Sequence, residues 1–112
     1  MIPGEIYLCN FPFSGGVGSK PRPVVVISRS GANRGPDVIV LPISSTTASR
    51  NAPFAFAIDS TSPNFPQTGL RQSSTVKCSK PFTIEKTLIA RRLGSFHASD
   101  LASIKGIFLS VF

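Results

Sequence analysis

Prolines and glycines divide this chain into short apolar segments. Ten prolines and nine glycines are distributed over 112 residues, and no apolar run between them approaches the ~20 residues of a membrane-spanning helix. Short β-branched runs separated by turn-forming residues are typical of a small all-β barrel or sandwich. A chain of this length forms one domain with a modest hydrophobic core. We therefore predict a single, mainly β domain that covers residues 1–112.

Five segments have the composition of β-strands, and two more extend the predicted sheet. The strands are predicted at residues 5–10, 22–28, 38–43, 54–58 and 74–79, with a short extended piece at 82–84 and a further segment at 88–93. Phe11-Pro12-Phe13 predicts a bend after the first strand, and the glycine-rich residues 14–20 predict a mobile loop.

One helix is predicted, at residues 100–112. Four apolar side chains fall on one stripe at helical spacing, namely Leu101, Ile104, Phe108 and Phe112. Asp100 suits the positive N-terminal end of a helix, whereas Gly106 weakens the helix by about 1 kcal/mol relative to alanine. The predicted fold is therefore mainly β, with one C-terminal helix.

The charge of the chain favours a polyanionic partner. Twelve lysines and arginines against five acidic residues give a net charge of +7, which suits nucleic acid or an acidic protein segment. The carboxylates are widely separated in the sequence, at Glu5, Asp37, Asp59, Glu85 and Asp100. This spacing argues against a carboxylate-pair hydrolase and against a carboxylate-held metal ion. We expect neither a metal nor a cofactor.

The cysteines and the single histidine carry no recognisable catalytic or metal motif. Cys9 and Cys78 have neither metal-ligand spacing nor a disulfide framework, and such cysteines are small buried hydrophobes in a reducing compartment. Because the first residues lack the features of a signal peptide, we expect a cytoplasmic protein. His97 precedes the predicted helix and has no sequence partner to orient it, which favours helix initiation or an exposed position over catalysis.

Arg22 lies between two prolines at the start of a strand. In Lys20-Pro21-Arg22-Pro23, each proline fixes its own φ and biases the preceding residue toward extended geometry. The backbone that carries Arg22 is therefore stiff before any ligand binds. A forked, permanently charged donor on such a backbone suits a phosphate group. The alternative is a surface arginine that serves solubility.

Two further polar groups are candidates for a binding surface. Ser44-Ser45-Thr46-Thr47 follows a buried strand, where hydroxyls hold a phosphate or base edge, or form a solvated turn. Lys77 and Ser79 point to the same side of the fifth predicted strand, as a groove lining or as its solvent face. Sequence motifs for a serine nucleophile, a zinc protease and a phosphate-binding loop are absent.

Taken in order, five segments resemble the MazF/PemK-type toxins of bacterial toxin–antitoxin modules, and the resemblance runs through nearly the whole chain. They are Pro3-Gly4-Glu5-Ile6-Tyr7-Leu8, the glycine loop leading to Arg22-Pro23-Val24-Val25-Val26, residues 38–45, residues 75–84, and Arg91-Arg92-Leu93-Gly94 with the helix that follows. The resemblance implies a small SH3-like β-barrel of the MazF/PemK/CcdB type with a terminal helix, usually a homodimer. Five motifs in the right order make the resemblance specific.

The resemblance also implies an activity and a partner. It implies a sequence-specific, metal-independent endoribonuclease that cuts single-stranded mRNA and inhibits translation. In such enzymes the 2′-hydroxyl attacks the adjacent phosphate and leaves a 2′,3′-cyclic phosphate and a 5′-hydroxyl. A cognate antitoxin with an acidic, disordered tail neutralises the toxin.

Carried over residue by residue, the resemblance implies catalytic roles for Arg22, Ser44 and Lys77. Arg22 would stabilise the negative charge of the phosphorane, Ser44 stands where the family usually has a threonine, and Lys77 stands where some members have arginine. The implied RNA-binding set consists of Lys20, Ser45, Thr46, Phe54, Ser73, Ser79 and Lys80.

The chain differs from the family pattern in ways that concern proton transfer. Ser79 replaces the usual acidic residue and cannot act as a carboxylate base, Phe82 stands where arginine is frequent, and the glycine loop lacks a histidine. The general acid and base stay unassigned, and we expect a weakened activity. The alternative function is a non-catalytic basic β-barrel that binds RNA or an acidic protein segment. Toxins that act on a protein such as gyrase share the fold but do not use the Arg22 and Ser44-Ser45 motifs.

Overall fold

The computed structural model describes residues 1–10 and 21–112. The predicted bend at Phe11-Pro12-Phe13, the loop at residues 14–20 and Lys20 lie outside the described residues, so those predictions stay untested. The described chain contains seven β-strands and one α-helix: β1 (Glu5–Cys9), β2 (Arg22–Val26), β3 (Asp37–Ser44), β4 (Ala55–Ile58), β5 (Ser74–Lys77), β6 (Phe82–Glu85), β7 (Ile89–Ser95) and α1 (Ala98–Ser110). Short 3-10 helices lie at Ala32–Arg34, Thr47–Asn51, Pro66–Thr68 and Lys86–Leu88.

The strands form one antiparallel sheet, and β3 is its organising element. The order is β4-β5-β3-β2-β1-β7, with β6 paired to β3 beside this path. The eight residues of β3 pair with three partners: its first half with β6, its middle with β2 and its end with β5. The predicted mainly β fold with one C-terminal helix is confirmed.

The core consists of two clusters, and β2 contributes to both. Val25 belongs to one cluster, while Val24 and Val26 belong to the other, because successive strand residues point to opposite faces. All three valines are fully buried. This arrangement explains why β2 reads as an uninterrupted β-branched run, since a strand that is half exposed alternates apolar and polar residues.

The helix α1 begins two residues earlier and ends two residues earlier than predicted. The ring of His97 caps its N-terminus, because Nδ1 accepts a hydrogen bond of 3.1 Å from the Ser99 backbone N–H. Ile104 is fully buried in the core cluster that also contains Val25. Phe112, in contrast, lies beyond the end of the helix and is 81% exposed. The prediction that the helix extends to Phe112 was therefore wrong. Within the described residues, no helix combines the length and apolar character needed to cross a membrane.

Two glycines fix the long loop between β4 and β5 against β7. A Cβ atom at Gly94 would lie 2.2 Å from the carbonyl oxygen of Gln67, and one at Gly69 would lie 2.1 Å from that of Leu93. Gly69 also has a positive φ of 70°, which ends the 3-10 helix Pro66–Thr68. The backbone contact that these glycines allow places the following residues, Leu70 and Arg71, beside β7.

Candidate functional site

The register of the sheet brings the three predicted catalytic residues to one end of it. Val24 of β2 pairs with Pro42 of β3, so the same register continued by two residues sets Arg22 beside Ser44. Ser44 in turn pairs with Thr75 of β5, two residues before Lys77. Residues two apart in a strand point to the same face, and Arg22, Ser44 and Lys77 line one depression.

Two depressions meet at Arg22 and Ser44, and together we call them the basic groove. The larger has a volume of about 510 Å³ and extends past Leu70, Arg71 and Arg91. The smaller has a volume of about 320 Å³, and three of its lining residues are Lys77, Lys80 and Phe82. Ile43 and Thr46 also line both. The groove therefore passes over the end of β2 and β3, with Arg22 and Ser44 at its centre.

The basic groove carries unbalanced positive charge. Its cationic side chains are Arg22, Arg71, Lys77, Lys80 and Arg91. In the described part of the chain, ion pairs form only at Arg50–Asp59, at 3.5 Å, and Arg92–Glu5, at 2.9 Å. No carboxylate or imidazole of the described residues lines the groove. Cations that lack an internal partner are available to a bound anion.

A network of three hydroxyls fixes the side chain of Ser44. Its Oγ accepts hydrogen bonds from the Ser49 hydroxyl, at 3.1 Å, and from the Thr46 backbone N–H, at 3.3 Å. The Thr46 hydroxyl closes the network, at 3.0 Å from Ser44 Oγ and 2.8 Å from Ser49 Oγ. A serine oxygen has two lone pairs, and both are occupied here. Ser44 therefore keeps its own proton, which it donates to the Thr46 hydroxyl, and is a poor base.

A protein-family comparison agrees with this geometry. The model of the PemK-like, MazF-like toxins of type II toxin–antitoxin systems matches residues 2–112. The chain belongs to this family. No curated protein matches the sequence closely enough to count as a relative.

Solved structures of MazF-like proteins share the fold of this toxin over nearly its whole length. The Mycobacterium tuberculosis toxin MazF-mt6 is 25% identical, with a TM-score of 0.73 over 96% of this chain and 95% of the other. A mycobacterial endoribonuclease in complex with its cognate antitoxin is 17% identical, with a TM-score of 0.75 over 99% and 93% of the two chains. MazF from Deinococcus radiodurans is 20% identical, with a TM-score of 0.71 over 98% and 93%.

Of the residues predicted to bind RNA in this toxin, three line the groove and one points away from it. Ser45, Thr46 and Lys80 line it. Ser73 does not, because its hydroxyl is turned to the Asp59–Ser60 corner, where it accepts from the Ser60 N–H at 2.8 Å.

Two other predicted residues lie near the groove without lining it. Ser79 is half-buried in the turn after β5, which also carries Lys80. Phe54 is 47% exposed, and its carbonyl accepts a hydrogen bond of 3.0 Å from the Cys78 N–H.

Sequence reasoning missed three residues that contribute to the site of this toxin. Arg71 and Arg91 line the larger depression, and Ser49 holds Ser44. The sequence could have indicated Arg91. Adjacent strand residues face opposite sides of a sheet, so only one of Arg91 and Arg92 could face the groove. Arg71 and Ser49 lie in loop and 3-10 segments, whose conformation no local pattern predicts.

Arg92 is held away from the groove by a cluster at the other face of β1. Burial raises the pKa of the Glu5 carboxyl, but hydrogen bonds from Ile2 N–H, Tyr7 and Arg92 outweigh burial and hold this pKa below its usual range. For Tyr7, burial and the Glu5 charge raise the pKa of the phenol. The carboxylate of Glu5 is thus committed to the fold.

The remaining titratable candidates take no part in the groove. Burial raises the pKa of the Cys78 thiol to about 11, despite an opposing backbone hydrogen bond at Phe56, so Cys78 is an unreactive buried side chain. His97 is engaged as the helix cap. Across residues 1–10 and 21–112, no three histidine, cysteine or acidic side chains are grouped so that they could hold a metal ion.

Proposed function

We propose that this toxin is an endoribonuclease that cleaves single-stranded RNA in the basic groove. The observation that carries the proposal is the meeting of Arg22, Ser44 and Lys77 in one depression of a groove without carboxylates among its described residues. Membership of the PemK-like, MazF-like toxins supports it. Fixed cationic and hydroxyl donors are what a phosphodiester needs when negative charge develops on its oxygens.

The proposed reaction is attack of the RNA 2′-hydroxyl on the adjacent phosphorus. The new P–O2′ bond gives a 2′,3′-cyclic phosphate as the P–O5′ bond breaks. The proton lost by the 2′-hydroxyl is balanced by the proton gained by the 5′-oxygen. Arg22 donates to the phosphorane oxygens through its fork of N–H groups, and Ser44 donates its remaining proton to one of them. Lys77 adds a third donor, a cationic ammonium group, on the same side.

Metal independence belongs to the proposal, because the charge compensation that a metal ion provides in other nucleases can come from Arg22 and Lys77. The described groove residues include no general base. A water molecule or a substrate group therefore accepts the proton, which fits the expectation of a weakened activity. We also propose that Ser45, Thr46 and Lys80 hold neighbouring nucleotides.

The same groove provides the proposed site for the antitoxin. An acidic, disordered segment that folds on binding would meet five cations without internal ion pairs. We therefore propose that antitoxin and RNA compete. A homodimer, which the family resemblance implies, and a cytoplasmic location, which we infer from the unpaired buried cysteines, complete the proposal.

A second candidate function is RNA binding without cleavage. The observation that favours it is the lack of a carboxylate or imidazole among the described residues that line the groove. Without such a group, binding can persist while proton transfer is too slow to count as catalysis.

The deciding experiment incubates the purified protein with a mixed-sequence single-stranded RNA in EDTA. We expect cleavage products with 2′,3′-cyclic phosphate ends. Arg22→Ala should reduce the rate at least about 100-fold, the size expected for one transition-state donor. Arg29→Ala, an exposed arginine that does not line the groove, is the control.

Intact RNA after prolonged incubation would refute the ribonuclease. Intact RNA that is nevertheless bound would establish the second candidate. Equal cleavage by Arg22→Ala would show that the groove is not the active site.

A further inference from the structure

Phe54 combines an exposed aromatic ring with an unfavourable backbone conformation. Its φ is +55°, and among the described residues it is the one non-glycine residue with a positive φ. It is also 47% exposed. A bulky residue in this conformation is an outlier, and such outliers concentrate at functional sites when the surroundings enforce them.

The turn that contains Phe54 would suit glycine better. Pro53 and Phe54 form the turn before β4, with proline at the first central position and positive φ at the second. This is the pattern of a type II turn, whose second central residue is usually glycine. The ring is absent from both buried clusters and from their half-buried margins. The ring is therefore not part of the buried core.

The backbone contacts of Phe54 set its position relative to the groove. Its carbonyl accepts a 3.0 Å hydrogen bond from the Cys78 N–H, and the next residue, Ala55, pairs with Lys77. The turn is thus anchored to the end of β5, between Lys77 and Lys80, which both line the smaller depression. The backbone of Phe54 therefore lies next to the end of β5, from which Lys77 lines the basic groove.

We propose that Phe54 is a stacking platform for one base of a single-stranded RNA. The base lies on the ring while Lys77 and Lys80 take the phosphates on either side, which is the combination that single-strand binding proteins use. A protein partner would favour a contiguous apolar patch, whereas Phe54 is a single exposed ring on a turn anchored to the strand that ends at Lys77. The inference rests on the proposed RNA-binding function of the groove and adds a base subsite to it.

The test measures binding of a non-cleavable, 2′-O-methyl RNA oligonucleotide of mixed sequence that contains 2-aminopurine. Stacking on the protein changes the fluorescence of this base, so affinity and stacking are read together. We expect Phe54→Tyr to bind like the natural protein. Phe54→Leu, which keeps apolar bulk without the aromatic face, and Phe54→Asn, which tolerates a positive φ, should weaken binding about 5- to 150-fold and abolish the fluorescence change.

The control is Phe112→Asn at the other strongly exposed phenylalanine, 81% exposed, which should change neither readout. The melting temperature of Phe54→Asn should equal or exceed that of the natural protein, because the strained backbone is relieved. A lowered melting temperature would show that the ring serves packing, and unchanged binding by Phe54→Leu would exclude stacking. Either result overturns the proposal.

The outcome is separable from that of the proposed function. If the protein binds and stacks the oligonucleotide but leaves natural RNA intact, the ribonuclease fails and the stacking site stands. If natural RNA is cut but no aminopurine position responds, the stacking site fails alone. Loss of affinity only for an acidic peptide such as poly-glutamate would reassign Phe54 to the antitoxin and refute the base subsite.

Discussion

At the scale of the residue, the state of the Ser44 hydroxyl is decided by its neighbours. Two donors, Ser49 and the Thr46 backbone, occupy the lone pairs of its oxygen. The direction of the Ser49 bond then fixes the other two: Thr46 donates to Ser49, and Ser44 donates to Thr46 or to a ligand. Under the proposed function, an arriving phosphate oxygen would replace Thr46 as the acceptor, and no proton would leave the network. Ser44 would then act as a fixed donor.

Ser49 is therefore a positioning residue, and its hydroxyl is testable. Ser49→Ala removes the hydrogen bond that Ser49 donates to Ser44 Oγ, and the Ser44 side chain then rotates more freely. We expect kcat to fall about 5- to 13-fold with KM unchanged, from the loss of one hydrogen bond worth roughly 1–1.5 kcal/mol. Steady-state kinetics on a short RNA measures both constants.

Ser49→Thr retains the hydroxyl and should restore most of kcat, while Ser103→Ala, on the exposed side of α1, should leave kcat unaltered. A rise in KM at constant kcat for Ser49→Ala would contradict the positioning role.

At the scale of the element, the close approach between the 60–72 loop and β7 builds one wall of the groove. Gly94 and Gly69 are the two points where the backbones touch, and Arg71 and Arg91 face the groove from the two sides of this contact. The position of the wall thus depends on the absence of two Cβ atoms.

Gly94→Ala tests this contact. The new methyl group would stand 2.2 Å from the Gln67 carbonyl oxygen, so the loop must shift. We expect the free energy of unfolding to fall by at least about 2 kcal/mol, as for other overpacked sites. The expected change is a lower urea midpoint at unchanged slope.

The matched substitution is Gly106→Ala in α1, where nothing lies within 4 Å of the added atom. It should raise stability by about 0.5–1 kcal/mol, because alanine favours the helix. Equal effects of the two substitutions would contradict the close-contact account.

Elements also show what the sequence could and could not predict. The positions of all seven strands followed from apolar runs and turn residues, because these patterns are local. His97 was expected at the helix start and is its cap, but the start of α1 was predicted two residues late because Ala98-Ser99 carries no large apolar side chain. The fifth strand was predicted to end at residue 79, but β5 ends at Lys77. Cys78 is as buried as a strand residue, although it already belongs to the turn.

The site followed the same division. Arg22, Ser44 and Lys77 were predicted from motif order, and the strand register brings them together. Arg71 and Ser49 were not found, because a loop and a 3-10 helix place them through tertiary contacts. The positive φ of Phe54 was also invisible, since a phenylalanine gives no sign of occupying a glycine position.

At the scale of the whole molecule, the cationic side chains divide into those that form ion pairs within the protein and those that do not. Arg50 and Arg92 are paired with acidic residues, whereas the five cations of the groove form no ion pair with any described residue. Of the net charge of +7, most of the uncompensated part is therefore concentrated on one face. Such a distribution attracts any polyanion, so RNA and an acidic antitoxin tail are expected to compete for it.

The salt dependence of RNA binding measures how many of these cations reach phosphates. For single strands, log K falls with log salt by about 0.7 per neutralised phosphate. We expect Arg71→Gln and Arg91→Gln each to reduce the slope by about 0.7 and the double variant by about 1.4, because the larger depression is lined by both side chains. Titrations of the 2′-O-methyl oligonucleotide at several salt concentrations supply the slopes. Lys105→Gln, which removes an exposed charge on α1, should weaken binding little and leave the slope unchanged. If Lys105→Gln lowered the slope as much as the groove variants, the attraction would belong to the net charge and not to the groove, and the larger depression would lose its place in the RNA path.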